Sequence, residues 1–125
     1  MKLSRFKLED GERAIGRIVN SITQFAYRGG ASEIFLEPQP EGVAVFYQVK
    51  GEKLLQMNLP LYVHQPLVSH IKAIAGMNSE PEGTIRVRLE DRKNQLNLHY
   101  NLRVRILASP HGEEVVLRFE DEYSL

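Results

Sequence analysis

The chain has 125 residues, enough for one domain with a single core and no more. Its 42% hydrophobic and 26% charged residues are ordinary globular values, and 16 basic residues balance 16 acidic ones. Zero net charge gives no long-range pull toward nucleic acid or an anionic membrane, and the lack of cysteine excludes disulfides and thiolate chemistry.

The start, Met1-Lys2-Leu3-Ser4-Arg5-Phe6-Lys7, has no uninterrupted apolar run behind it and does not read as a signal peptide. No stretch has the apolar length of a transmembrane helix. A cytoplasmic protein is expected, a single domain over residues 1–125 with its core in 10–120 and flexible ends at 1–9 and 121–125.

In chain order, residues 1–9 are expected as a polar arm. A helix is predicted from about Asp10 to Arg28, with Asp10 as its N-cap. Its apolar stripe is Ile15, Ile18, Val19, Ile22, Phe25 and Ala26, and Gly29 is the expected left-handed stop. Ile34 and Leu36 alternate with Glu33, Phe35 and Glu37 in a first strand that Pro38 ends. Val43–Val49 is a second strand, and Lys50-Gly51 a tight turn into a third around Lys53–Met57. A second helix follows, from Leu61 or Gln65 to Ala75. Pro66 sits in its first turn, Leu67, Val68, Ile71, Ile74 and Ala75 form its stripe, and Gly76 is its stop. Met77–Glu82 reads as a loop.

The last third is all strand. Ile85, Val87 and Leu89 point one way and Arg86 and Arg88 the other. Arg92-Lys93-Asn94 is a hairpin tip. Leu96 to Ile106 alternates strictly, as a strand with one buried face does. After the turn Ser109-Pro110-His111-Gly112, Val115, Leu117 and Phe119 close the sheet. The expected fold is α+β: an antiparallel sheet of about six strands with two helices on its apolar face, in the order α-β-β-β-α-β-β-β.

Catalytic signatures are missing from the sequence. There is no G-x-x-x-x-G-K-[ST] loop, and Gly29-Gly30 follows a helix instead of opening one, so it reads as a C-cap and not as a phosphate cradle. His64, His70, His99 and His111 have no metal-site spacing. No serine lies in a nucleophile elbow, and no pair of carboxylates is predicted to converge. One constellation stands out. Arg86, Arg88, Arg103, Arg105 and Arg118 share the outward parity of the last three strands, and clustered guanidinium groups suit a phosphate or a carboxylate. The interleaved Glu90, Glu114 and Glu120 also allow a plain solvated face.

Four stretches carry a family resemblance. Ala14–Asn20 with Gly30-Ala31-Ser32-Glu33-Ile34-Phe35-Leu36-Glu37-Pro38 is similar to a V-N-x-I helix followed by G-A-S-D-I-H-I-E-P. Gln48-Val49-Lys50-Gly51 stands at an R-I-D-G, and Leu67–Met77 is similar to S-R-I-K-x-M-A-G-M. Asn101–Arg118 resembles D-L-R-V-S-T-x-P-x-x-x-G-E-K-V-V-x-R. Together, over residues 12–119, these resemble the PAS-like N-terminal domain that precedes the motor in type II secretion and type IV pilus assembly ATPases, the GspE/PilB family.

In that family the domain donates arginines to ATP held by the motor. Arg103 keeps one of these positions, while Thr84 in Glu82-Gly83-Thr84-Ile85 replaces the other. Gln48 replaces the arginine of R-I-D-G, Phe35 replaces a histidine, and the hairpin Leu89–Leu98 is longer than usual. The chain ends where the family's Walker A motor begins. The resemblance implies a module with no ATPase activity or cofactor of its own, touching ATP only when paired with a motor. Its expected partner is a secretion or pilus ATPase or the membrane-platform protein, at the inner membrane through that partner, with no nucleic acid and no membrane insertion. The alternatives are an excised domain that assists the motor in trans and a PAS-like small-ligand or nucleotide sensor.

Overall fold

The computed structural model describes residues 2–91, 93 and 96–120, with side chains for 13–87, 93 and 100–120. Helix α1 spans Lys2–Arg28 and is followed by strands β1 (Glu33–Gln39), β2 (Gly42–Val49) and β3 (Glu52–Pro60). A 3-10 turn at Leu61–Val63 leads into α2 (His64–Ile74), and β4 (Glu82–Asp91), β5 (Leu96–Ser109) and β6 (Gly112–Glu120) complete the chain. All neighbouring strands are antiparallel, in the order β3-β2-β1-β6-β5-β4. The α+β class and the predicted order of elements hold.

Three local expectations change. The first helix begins at Lys2, not near Asp10, so Asp10 lies inside it and residues 2–9 continue the helix. Its stop is Gly30, with φ +75°, and not Gly29. The Gly29 N–H still makes a helical bond to Phe25 O (3.0 Å), and the Gly30 and Ala31 N–H groups then fold back onto Tyr27 O (3.1 Å) and Ala26 O (2.9 Å). That is a Schellman ending, and the left-handed residue has to be the one after the last helical bond. Gly76 (φ +67°) ends α2 in the same way, as expected. Finally, Phe25 is 63% exposed and Ile74 45% exposed, although both were placed in the apolar stripes. Each falls on the margin of its stripe, beyond the arc its neighbours cover. The expected frayed tail, residues 121–125, lies outside the described residues.

Both helices pack on one face of the sheet. Val19, Ile22 and Ala26 of α1 and Leu67, Val68 and Ile71 of α2 meet Ile34, Leu36, Val43, Val45, Leu102, Val104, Val115 and Leu117 in one core. Truncating a fully buried member such as Ile71 to alanine costs about 2–5 kcal/mol in comparable cores. The Tyr47 hydroxyl donates to Ile22 O (2.7 Å) and ties β2 to α1. Tyr27 stacks on Tyr100 at 4.6 Å between centroids, with Phe119 tilted against both, and this pins the end of α1 to β5 and β6. On α2, the His64 Nε2–H donates to Glu113 O (2.7 Å) and Lys72 Nζ reaches the Glu113 carboxylate (2.9 Å), which fixes the β5–β6 turn.

The opposite face of the sheet carries neither helix. Period-two alternation sends Glu33, Phe35 and Glu37 to it from β1, while Ile34, Leu36 and Pro38 go to the core. Edge strand β3 carries one extra residue, Gln56, where its register with β2 shifts between Val45 and Phe46. A bulge at an edge twists it and discourages pairing with another chain. No helix among the described residues is long and apolar enough to cross a membrane.

Candidate functional site: an arginine depression on the open sheet face

Register fixes what stands beside what on the open face, because directly paired residues of antiparallel strands share a face. One row runs Lys53, Gln48, Glu33, Arg118, Arg103, Thr84 from β3 to β4. The next runs Leu55, Phe46, Phe35, Val116, Arg105, Glu82. Three of the five predicted arginines thus come together. Arg103, Arg105 and Arg118, with Glu33, Glu82 and Val116, line a depression of about 440 Å³.

The other two arginines stand apart. Arg86 pairs in register with Asn101, one row further along, and does not line the depression. Arg88 lies on β4 opposite His99, and its side chain is outside the described residues. Of the acidic residues expected to interleave, Glu90 also lies outside the described side chains, and Glu120 stands opposite Asn101.

Glu33 and Glu82 were not anticipated as lining residues. Glu82, at the end of the loop that the sequence predicts, is the first residue of β4 and pairs with Arg105. Its parity with Thr84 and Arg86 was the available signal. The Arg103 Nε–H donates to Glu82 Oε1 at 3.4 Å, with both side chains nearly half exposed. Such a pair is worth about 0–1 kcal/mol and yields readily to a competing carboxylate or phosphate. Among the described residues, Arg105 and Arg118 have no ion-pair partner.

Beside the depression lies a second cluster. Lys53 Nζ pairs with Glu37 Oε2 and stands 4.5 Å from the Phe35 ring centroid and 4.9 Å from that of Phe46. Ammonium over an aromatic face is attracted by the ring quadrupole, by about 0.5–1 kcal/mol at exposed sites. Glu114 sits against Glu37. Burial pushes its carboxyl above the usual range, Glu37 adds to that, and Lys53 opposes it. Phe35, which stands where the resembling sequences keep a histidine, is therefore half-buried under a lysine on the same face as the arginines.

The positions at which the chain departs from the resembling sequences share this face. Gln48 and Thr84 are the β2 and β4 members of the row that contains Arg103, and Phe35 lies in the adjoining row. The depression can hold an anionic group by guanidinium hydrogen bonds.

No protein-family model matches the chain. It is 30% identical over 115 residues to type II secretion system protein E of Xanthomonas campestris pv. campestris, covering 88% of this chain and 19% of that protein. It is 31% identical over 123 residues to the type IV pilus assembly ATPase PilB of Acinetobacter baylyi, covering 94% of this chain and 20% of that one. The chain thus spans about a fifth of the length of these curated relatives. Its fold is similar to part of the Legionella pneumophila ATPase DotB, with a TM-score of 0.54 at 18% identity, over 82% of this chain and 28% of that one. Along nearly its whole length the chain resembles the N-terminal region of the type II secretion and type IV pilus assembly ATPases.

Proposed function

We propose that the chain is a non-catalytic accessory module of a type II secretion or type IV pilus system, acting by protein contact on the ATPase or its membrane platform. The observation that carries this reading is the open sheet face. It joins three guanidinium groups, interleaved with the carboxylates of Glu33 and Glu82, in one depression suited to an anionic group of a partner. The similarity to secretion and pilus ATPases over most of the chain supports the choice of system.

The test has two arms. Purified chain is assayed for ATP hydrolysis, and turnover that survives repurification overturns the non-catalytic role. Tagged chain is also expressed in its host and its bound proteins are identified. Recovery of a secretion or pilus ATPase or platform protein is expected, and recovery of none refutes the module reading.

A second reading rests on Arg103, which keeps a position that resembles a phosphate contact and lies exposed in the depression. Here the domain assists ATP binding by a motor in trans. Adding the chain to a motor domain then lowers that motor's KM for ATP, and Arg103→Ala abolishes the effect.

A further inference from the structure

The open face has two kinds of surface in direct contact. Leu55, Phe46, Phe35 and Val116 are consecutive register partners, so an apolar row crosses β3, β2, β1 and β6 in a straight line. The next members of that row are Arg105 and Glu82. Val116 belongs to both surfaces: it is 9% exposed and also lines the arginine depression. Leu55, at the outer end, is 54% exposed. Between these ends Phe35 and Phe46 are half-buried with Lys53 over their rings, so the row becomes accessible to a partner where that lysine moves aside.

Charge selects the ligand. Arg103, Arg105 and Arg118 bring three positive charges to the depression, and Glu33 and Glu82 bring two negative ones. The balance is a single positive charge, which one carboxylate neutralises. A triphosphate would set its several negative charges against Glu33 and Glu82, and each like-charge contact of that kind disfavours binding. Geometry adds a second requirement. Adjacent rows on one sheet face are two residues apart along a strand, about 7 Å. The same spacing separates alternate side chains of an extended segment.

We propose that this face docks an acidic protein segment, whose carboxylate enters the Arg103–Arg105–Arg118 depression while a neighbouring apolar side chain lies on Phe35 and Val116. This rests on the reading of the chain as a protein-contact module and gives that module's partner its chemistry. Arg105 and Arg118 hold the carboxylate, and Arg103 exchanges Glu82 for it. Phe35 lies under Lys53, so its ring receives the apolar side chain when Lys53, still paired with Glu37, swings off it.

The full chain is titrated with two blocked synthetic peptides, one repeating Glu-Ser-Leu-Ser, which places glutamate and leucine in turn on one face of an extended strand, and its counterpart with glutamine for glutamate, and followed by amide NMR. The glutamate peptide is expected to shift the amides of Glu33, Phe35, Arg103, Arg105, Val116 and Arg118. The glutamine peptide and the variant Arg105→Ala are each expected to bind about tenfold more weakly, and added salt to weaken the glutamate peptide. Phe35→Ser, with an unchanged circular dichroism spectrum, is expected to lose severalfold affinity. ATP and inorganic triphosphate at equal concentration are expected not to displace the peptide. No shift on this face at millimolar peptide, equal binding of the two peptides, or displacement by triphosphate overturns the proposal.

The host capture separates this idea from the one beneath it. If Arg105→Glu/Arg118→Glu still recovers the secretion component in full, the docking face is wrong and the module reading stands. If wild-type chain recovers no such component while the glutamate peptide binds the face, the face survives and the module reading falls.

Discussion

Arg103 and Arg118 stand directly opposite each other across the β5–β6 ladder, two like charges on one exposed face. Directly opposed like charges destabilise an antiparallel pair, on a scale of about 0.2–1 kcal/mol. Glu82, paired to Arg103, and Glu33, opposite Arg118, offset part of this. Arg118→Thr is therefore expected to raise the stability of the isolated domain by a few tenths to about 1 kcal/mol. Urea unfolding at low and high salt checks it. The gain should shrink as salt screens the repulsion, and destabilisation at low salt would refute the account.

Two buried tyrosines should respond oppositely to loss of the hydroxyl. Tyr47 donates to Ile22 O, so Tyr47→Phe is expected to cost about 1 kcal/mol. The Tyr100 hydroxyl is buried and makes no hydrogen bond of good geometry among the described residues, with only a weak polar contact to Thr23, so Tyr100→Phe is expected to be neutral or mildly stabilising at pH 7. Equilibrium unfolding of both variants decides it.

Alkaline stability follows from the same residue. Burial, with Tyr27 adding and Thr23 opposing, pushes the Tyr100 phenol up to about 12 from 10.0. The folded state holds this proton more tightly, so the contribution is complete below the unfolded value near 10 and is lost as pH rises through about 12. Wild type should lose stability across that interval by something on the order of 2 kcal/mol more than Tyr100→Phe. Parallel curves from pH 9 to 12 would contradict this.

Glu114 offers a test near neutrality. Burial first, and then Glu37, raise its carboxyl, with Lys53 opposing. A raised carboxylate favours the folded state below its unfolded value and penalises it once ionised. Glu114→Gln should therefore raise the melting temperature at pH 7, and the gain should fade as pH drops below the usual carboxylate value of 4.5. An effect of equal size at pH 3 would point to packing instead.

Gly30 has φ +75°, where a side chain is strained. Gly30→Ala should cost about 1–2 kcal/mol, whereas Gly29→Ala should cost less. Urea midpoints of the two variants separate them, and equal losses would argue against the Schellman ending.

Local order was readable from the sequence where local rules decide it. Alternation alone assigned Arg103, Arg105 and Arg118 to one face, since a strand has no other period. The turn Lys50-Gly51 was equally plain, and both residues do take positive φ. Two errors came from choosing between equivalent signals. Asp10 is a good N-cap by composition, but the helix runs through it to Lys2. Either glycine of Gly29-Gly30 could have ended the helix, and the position of the last backbone bond decided it. What could not be read was lateral placement. Glu33 meets Arg118, and Phe35 meets Val116, only because β6 inserts beside β1. No period or motif in the chain encodes that neighbourhood.

The β1–β6 seam also has a kinetic meaning. Every other strand pair joins neighbours in sequence, while this one joins Glu33–Leu36 to Val115–Arg118, the first strand to the last. Closing it carries the largest loop entropy of any strand pair, so the hairpins β1–β2, β2–β3, β4–β5 and β5–β6 can form before the two halves meet. The arginine depression straddles that join, with Glu33 on one half and Arg103, Arg105, Arg118 and Glu82 on the other. It is complete only once that join has closed, and an occupant that touches both halves braces the join.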